Sequence, residues 1–369
     1  MNLQTNFWPH PPMYIFKVLY IESHQKCREL GVFDSRAEWE SEFDGRKYLC
    51  KEAGFFSKYD LVIATNYSSS ISNLICCKCK SVGVKTAFFS DGIYDLANSI
   101  RNPLLLGNRR VLYGYLPFDY FFAVNKVVLF SGHPQFFYYL PRRVVNMNSI
   151  LELPESDKLL ITTANSAYFD NAEYGSLIKL INQVIAYVSS KGMQFSIRIF
   201  DEKILGDLVL PDGVHNDVGD EYEECLRGYS HVITTPSTIA LTSMYHGRAT
   251  AQLIYRSEPA SVSSAWNIPS IEAFDAAYES FRLRDGNLMS YQSASIAFSS
   301  DSISPEQAVE TVLLQERELY DQYSQFRESE AERILNSSFN LNLEYWFRKF
   351  YERSIFRKYF VFLKSFIRQ

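Results

Sequence analysis

Short apolar runs of the β-strand type alternate with segments of helical periodicity along the first part of the chain. A Ser-rich turn and a predicted helix, residues 70–80, separate two of these runs. Strands that are joined by helices at this spacing are typical of parallel β-α-β units. The strands predicted in this part of the chain are residues 14–21, 60–65, 85–89 and 119–124.

A polar stretch without clear periodicity, residues 142–157, predicts a linker, after which a second α/β pattern begins. Residues 174–190 place apolar side chains on one face of a helix. A capping box at residues 304–307, with Pro305 at the first helical position, predicts a helix to about residue 335. The predicted strands of this part are residues 158–163, 195–200, 231–234 and 249–255.

Two tandem parallel units predict an α/β fold in which two Rossmann-like domains face each other across a cleft. A chain of 369 residues is long enough for two domains of ordinary size. We expect the first domain at residues 1–150, the second at 151–303, and C-terminal helices at 304–369. Ligands of such sheets bind at the carboxyl ends of the strands, so polar residues at these ends are candidates for function.

The segment from His231 to Gly247 is the most informative of these strand ends, because a strand, a polar turn and a helix follow in order. Thr235 is predicted to cap the helix, and Pro236 suits its first turn. The free N–H groups of that turn, with the hydroxyls of Ser237 and Thr238, predict a phosphate site. The alternative is a helix cap without a ligand.

A similar turn follows an earlier strand of the same domain and contains Thr163, Asn165 and Ser166. Because both turns would line one rim of the sheet, together they favour binding of a nucleotide mono- or diphosphate. Arg198 and Arg256 are candidate charge partners for the phosphate, although either could instead form a surface ion pair.

Asp91 is the candidate catalytic carboxylate, because it directly follows a predicted buried strand and precedes Gly92. A general base at this place would take a proton from a sugar hydroxyl. The alternative is a turn Asp that bonds its own backbone, and Asp95 is a second candidate for the base. The further candidates on this side of the cleft are Asn66, Ser68 and His133, of which His133 could equally be a structural turn residue.

The chain has a net charge of −5, which disfavours a nucleic-acid partner. The C-terminal tail differs from the rest of the chain in composition. Residues 341–369 contain seven basic and two acidic side chains, interleaved with aromatic residues. Such a helix can lie on an anionic membrane surface, or it can pack across the two domains with a solvated basic face. No signal peptide and no membrane-spanning run is evident, so we expect a cytoplasmic protein that is peripheral on the inner membrane.

Metal and redox chemistry are not expected from the motifs. No D-x-D, H-E-x-x-H or His cluster is present, so no metal or other cofactor is predicted. The absence of G-x-G-x-x-G after the early strands disfavours a nicotinamide dehydrogenase. Cys76 and Cys79 have C-x-x-C spacing without a second pair, and buried thiols in a reducing compartment are the simpler interpretation.

Residues 219–249 resemble the donor-nucleotide segment of glycosyltransferases of the GT-B type, and residues 85–95 (KTAFFSDGIYD) resemble their acceptor-side strand. Three features differ from that pattern. Thr242 stands where many members have a ribose-binding Glu, Arg248-Ala249 replaces Lys-Pro, and the His-Pro motif of sialyltransferases is missing.

The resemblance implies a metal-independent GT-B enzyme that transfers a sugar from a nucleotide-sugar donor to a glycan or lipid-linked acceptor in bacterial surface polysaccharide or glycolipid synthesis. Asp91 would act as the base of an inverting displacement, and retention stays open. The alternatives are a nucleotide-sugar epimerase of the same fold, which the basic aromatic tail disfavours, and a non-catalytic membrane-associated partner of a polysaccharide assembly complex.

Overall fold

The computed structural model describes ten stretches of the chain. They are residues 15–32, 39–66, 69–90, 92–93, 118–124, 135–139, 150–165, 167–257, 262–296 and 303–315. Within them the chain forms two parallel β-sheets with helices packed against both.

The first sheet has six parallel strands in the order β2-β1-β3-β4-β5-β6. Its helices are α1 (His24–Glu29) and α2 (Ser70–Ser81), and two 3-10 helices span Gly45–Tyr48 and Ala53–Lys58. The central strands are buried on both faces, as a parallel sheet covered by helices requires. The strands are β1 (Phe16–Tyr20), β2 (Trp39–Glu42), β3 (Leu61–Ala64), β4 (Lys85–Phe89), β5 (Tyr120–Ala123) and β6 (Gln135–Tyr138).

The second sheet has five parallel strands in the order β11-β10-β9-β7-β8. The strands are β7 (Leu159–Thr162), β8 (Phe195–Arg198), β9 (His231–Thr234), β10 (Ala249–Leu253) and β11 (Trp266–Ile268). The helices are α3 (Asn171–Ser190), α4 (Glu202–Asp207), α5 (Tyr222–Leu226), α6 (Thr238–Tyr245), α7 (Ile271–Arg282) and α8 (Gly286–Ile296).

The apolar face predicted for the longest helix is the one that α3 buries. Leu177, Ile181 and Val184 pack there against β7, β8 and the aromatic residues of α7. Gly192 follows the helix with a φ of +70°, a left-handed conformation that glycine adopts without a Cβ penalty. The helix and its end are therefore both as the periodicity predicts.

The chain returns to the first sheet after α8. Ile303 pairs with Tyr139, and the helix α9 (Pro305–Leu314) buries Ala308 and Val312 in the core beneath β1, β3 and β4. The predicted capping box is present, with Ser304 accepting the N–H of Gln307. The last helix of the described chain therefore belongs by packing to the first sheet.

The predicted end of this helix at about residue 335 is wrong. The helix ends at Leu314, and Gln315 after it is extended. The Lys85 ammonium donates to the carbonyl oxygens of Val312, Leu313 and Gln315 at 2.8, 2.9 and 2.6 Å. A cation at the C-terminus both satisfies the last carbonyls and complements the helix dipole, and this partner comes from a distant strand.

Candidate functional site

The two polar turns predicted on the second sheet begin side by side. Thr162 at the end of β7 is paired in register with Thr234 at the end of β9. Just beyond them, the Thr235 hydroxyl accepts the N–H of Ala164 at 2.7 Å. The two turns thus form one continuous rim at the carboxyl edge, with Thr163 buried and Asn165 exposed on it.

Helix α6 lies where the helical segment was expected, but Thr235, its predicted cap residue, does not cap it. Ser237 is the N-cap residue, and its side chain forms no capping hydrogen bond. Thr235 is fully buried, and its hydroxyl faces the neighbouring turn, which explains why it is not available to the helix. The Ser237 hydroxyl is buried without a hydrogen-bond partner in the part of the chain that the structure describes. The start of α6 therefore has spare hydrogen-bonding capacity, because first-turn N–H groups have no carbonyl within the helix.

Thr238, the first residue of α6, touches the other domain. Its hydroxyl accepts the N–H of Ile93 at 3.2 Å, and Ile93 follows β4 of the first sheet by only four residues. A Cβ atom placed on Gly92 would stand 2.4 Å from the same oxygen. The carboxyl edges of the two sheets therefore meet at the start of α6.

An apolar cluster flanks this contact. Leu241 and Met244 of α6 pack with Val124, the residue after β5, and with Ile93. Val262 and Ile296 complete the cluster from the second domain. The contact between the domains is thus a packed interface beside the polar rim.

Arg198 is placed at the carboxyl edge of β8 but is already hydrogen bonded. Its guanidinium donates to the carbonyl oxygens of Asp217 and Asp220, the latter at 2.7 Å, and it lies 5.0 Å from the ring centroid of Phe200. Asn216 further ties this loop to β8 by bonding both backbone groups of Ile199. Arg198 therefore orders the loop before α5, and its predicted contact with phosphate stays a prediction.

Arg256 follows β10 and forms a buried ion pair with Glu173 in the first turn of α3. Glu173 also accepts the N–H of Phe169 at 2.8 Å, and the Arg256 guanidinium lies 4.8 Å from the Phe169 ring centroid. This pair clamps the turn after β7 onto the sheet. Arg256 therefore lies at the carboxyl edge of the second sheet, where its charge is paired with the carboxylate of Glu173.

The other predicted site residues divide into two groups. Asn66 lies directly after β3, half-buried at the carboxyl edge of the first sheet. The remaining ones, Asp91, Asp95, Ser68, His133 and Ser166, lie outside the described residues. Ser90 and Gly92, which flank Asp91 in the sequence, are buried at the end of β4.

A further strand end carries polar residues that the sequence interpretation missed. Glu22 follows β1 and is buried, with Arg46 at 3.2 Å from one carboxylate oxygen and the N–H of Thr65 at 3.1 Å from the other. His24 is exposed nearby at the start of α1. The signal was available, because an apolar run ends there in Glu-Ser-His just as the other strands end in polar turns.

Arg248, which was noted in the sequence only as a replacement for Lys, is one of two fully buried basic residues in the described ranges, with Lys78. The Arg248 side chain is fully buried and its partners are all carbonyl oxygens. They belong to Tyr229, Leu151, His246, Glu152 and Leu226, at 3.1, 2.8, 2.5, 2.9 and 3.3 Å. All five N–H groups of a guanidinium are thereby used. Arg248 therefore joins the C-terminal ends of α5 and α6 to residues 151–152, where the chain enters the second domain.

His246 reinforces this anchor. Its Nδ1 accepts the N–H of Leu151 at 3.2 Å. Burial, with the nearby cations of Arg248 and Arg227, lowers the pKa of His246 to about 4. The ring is consequently neutral at physiological pH, as an acceptor at Nδ1 must be.

No group of His, Cys, Asp or Glu side chains within the described ranges has the arrangement of a metal site. The same part of the chain contains no helix with both the length and the hydropathy needed to cross a bilayer.

No protein-family model matches the sequence, and no curated protein matches it in sequence. Solved structures do match. The UDP-GlcNAc 2-epimerase of Neisseria meningitidis, bound to UDP-GlcNAc, is 10% identical with a TM-score of 0.52 over 82% of this chain and 100% of that one. MnaA of S. aureus in complex with UDP is 11% identical with a TM-score of 0.51 over 83% and 99%. Spinosyn rhamnosyltransferase SpnG is 12% identical with a TM-score of 0.47 over 81% and 100%.

The first two likenesses establish the fold. The chain has two Rossmann-like α/β domains of the GT-B type, as the sequence predicted. The C-terminal amphipathic helix of that prediction lies outside the described residues. Structures similar to this chain include both nucleotide-sugar epimerases and glycosyltransferases.

Proposed function

We propose that this protein is a metal-independent glycosyltransferase that moves a sugar from a nucleotide-sugar donor to a glycan or lipid-linked acceptor. The observation that carries the proposal is the contact of Gly92 and Ile93 with Thr238. It joins the loop that contains Asp91 in the sequence to the turn with spare N–H and hydroxyl groups. A carboxylate and an anion-binding turn on opposite sides of a cleft are what sugar transfer from a nucleotide needs.

In this proposal Asp91 takes the proton of the acceptor hydroxyl while the acceptor oxygen attacks the anomeric carbon of the donor. The bond between that carbon and the phosphate oxygen breaks, and the nucleotide leaves with the electron pair. First-turn N–H groups of α6 and the Ser237 hydroxyl stabilise the negative charge that develops on the leaving phosphate. The basic aromatic tail, residues 341–369, would hold the enzyme at the cytoplasmic face of the inner membrane, near a lipid-linked acceptor of capsule or lipopolysaccharide synthesis.

A nucleotide-sugar epimerase is the second candidate, because two structures of this fold are an epimerase with UDP-GlcNAc and a UDP complex. The two activities differ in what they release. A transferase forms free nucleotide only as sugar reaches an acceptor, whereas an epimerase converts its nucleotide sugar without any acceptor.

The test begins with thermal unfolding in the presence of UDP, CMP, GDP and dTDP, since a ligand of the native state must raise its stability. The nucleotide that gives the largest shift then selects the sugar donors for assays with and without a membrane-lipid extract as acceptor. We expect Asp91→Asn to reduce turnover by about 10²-fold or more while the nucleotide shift is retained. The matched control is Asp212→Asn at an exposed position, which should leave turnover unchanged.

Near-normal turnover of Asp91→Asn would remove Asp91 from the role of base. His24→Ala then becomes the next variant to assay. If no nucleotide raises the melting temperature, the donor site is wrong and a non-catalytic partner of an assembly complex gains support.

A further inference from the structure

A close approach of the two domains depends on a glycine. A Cβ atom on Gly92 would stand 2.4 Å from the Thr238 hydroxyl oxygen and 3.4 Å from the Cβ and the methyl group of the same side chain. Non-bonded Cβ atoms do not approach an oxygen to 2.4 Å, so with any other residue at this position either the Thr238 side chain turns away from Ile93 or the two segments move apart, and both outcomes break the contact. The φ of Gly92 lies outside the left-handed region, so the need for glycine is one of space.

The contact is also directional. The Thr238 hydroxyl accepts the N–H of Ile93 at 3.2 Å, which leaves the hydrogen of that hydroxyl to be donated elsewhere. A hydroxyl that accepts one hydrogen bond becomes a better donor of the next. Thr238 therefore stands between the backbone of one domain and the groups at the start of α6 in the other.

The surroundings partly shield this hydrogen bond from water. Ile93, Val124, Leu241 and Met244 pack into one apolar cluster beside it. Thr238 is itself half-buried, and Ser90 and Gly92 are buried at the end of β4. A hydrogen bond in such a setting is worth more than one that is exposed to solvent.

We propose that Gly92 and Thr238 form a latch between the domains, and that Thr238 is a positioning residue that couples closure of the cleft to binding of an anion at α6. Closure orients the Thr238 hydroxyl through the N–H of Ile93. An anion that receives the hydrogen of this hydroxyl in turn strengthens closure, because coupling of two equilibria is reciprocal. The latch stands on the contact alone, and its coupling to an anion rests on the proposed function.

The test uses the full-length protein and inorganic pyrophosphate, which reports on the phosphate site without a nucleobase. Gly92→Ala should increase the radius of gyration of the ligand-free protein in small-angle X-ray scattering and weaken pyrophosphate binding in calorimetry by about tenfold. Gly175→Ala, at a position where a Cβ meets nothing within 4 Å, is the matched control and should change neither quantity.

Two variants of Thr238 keep the test decisive if Gly92→Ala folds poorly. Thr238→Val keeps the shape of the side chain and removes the hydroxyl, so it should open the cleft and weaken pyrophosphate binding. Thr238→Ser keeps the hydroxyl, so its radius of gyration and its affinity for pyrophosphate should be close to those of the wild type.

The latch also predicts non-additivity. Thr238→Ala removes the oxygen that the new Cβ would strike. Gly92→Ala should therefore raise the radius of gyration less in the Thr238→Ala background than in the wild-type background. The latch is overturned if Gly92→Ala and Thr238→Val both match wild type in radius of gyration, or if the effects of the two alanine substitutions simply add. Failure of the wild-type protein to bind pyrophosphate would count against the proposed function and the coupling, while the scattering measurements still decide the latch.

Discussion

The two ends of helix α6 differ in how their polar groups are satisfied. At the C-terminal end, the guanidinium of Arg248 donates to carbonyls of the helix, of α5 and of the chain that enters the domain. At the N-terminal end, the Ser237 side chain caps nothing, and the Thr238 hydroxyl reaches across to the other domain. One end is therefore tied to its own domain, whereas the other faces the cleft.

The difference shows where the chain retains capacity for a ligand. A buried polar group without a partner costs about 1–3 kcal/mol, so a fold keeps one only where something compensates. Arg248 fixes the C-terminal end of α6. The N–H and hydroxyl groups at its N-terminal end can then bind an anion without movement of the helix. We expect substitutions at the anchored end to act on stability and those at the cleft end to act on binding.

The largest effect is expected from Arg248→Met, which leaves five carbonyl oxygens without their donor. Loss of one partner from a buried polar network typically costs about 3–5 kcal/mol, which urea unfolding would measure. Arg227→Met is the control in the same region, because Arg227 is exposed and its ion pair within the described residues is with Glu224, three residues away, an arrangement worth little. Equal losses of unfolding free energy in the two variants would contradict the role of Arg248 as an anchor of α6.

A smaller loss of stability is expected at acidic pH. Because the pKa of His246 is about 4 in the folded protein and near its usual 6.5 in the unfolded chain, the unfolded chain binds more protons between these values. The contribution of His246 is therefore complete above pH 6.5 and is lost as the pH falls through 4, by roughly 3 kcal/mol.

His246→Asn isolates this contribution, since its amide oxygen can still accept the N–H of Leu151 but does not titrate. We expect the free energy of unfolding of this variant to fall less than that of wild type between pH 6.5 and 4. An identical pH dependence of the two proteins would assign the acid sensitivity to other groups.

The smallest effects on stability separate the two residues of the turn. Thr235→Val removes the hydrogen bond to Ala164 and should cost about 1 kcal/mol. Ser237→Ala removes a buried hydroxyl that has no partner among the described residues, so the free energy of unfolding should not fall. Binding should show the reverse order, with pyrophosphate affinity lowered more by Ser237→Ala. A large loss of stability in Ser237→Ala would show that this hydroxyl serves the fold.

Much of the fold could be predicted from local patterns. The central strands of both sheets, the apolar face of α3, the glycine after it and the capping box at Ser304 follow from periodicity and from the chemistry of helix ends. The edge strands β2, β6 and β11 were missed because, unlike the equally short central strands, they do not form a continuous buried apolar run. The end of α9 was placed some twenty residues too late, since its C-terminal partner is Lys85 of β4.

The candidate site shows the same division between local and distant information. Short hydroxyl side chains in the sequence predicted the carboxyl ends of the strands. In the structure Thr163, Thr235 and Ser237 lie on one rim at these ends. Their individual tasks did not follow from the sequence, because the partner of each hydroxyl is remote. Thr235 binds a turn 71 residues earlier, and Thr238 binds a backbone N–H 145 residues earlier.

Local patterns were enough to predict that this chain builds two parallel α/β units with polar turns at the carboxyl ends of their strands, because periodicity and turn chemistry act over a few residues. The folded arrangement was needed to see that Arg198 and Arg256 already have partners, that Arg248 anchors α6, and that Gly92 leaves room for Thr238 across the cleft. Such facts depend on atoms that meet only after folding, and on distances no pattern along the chain contains.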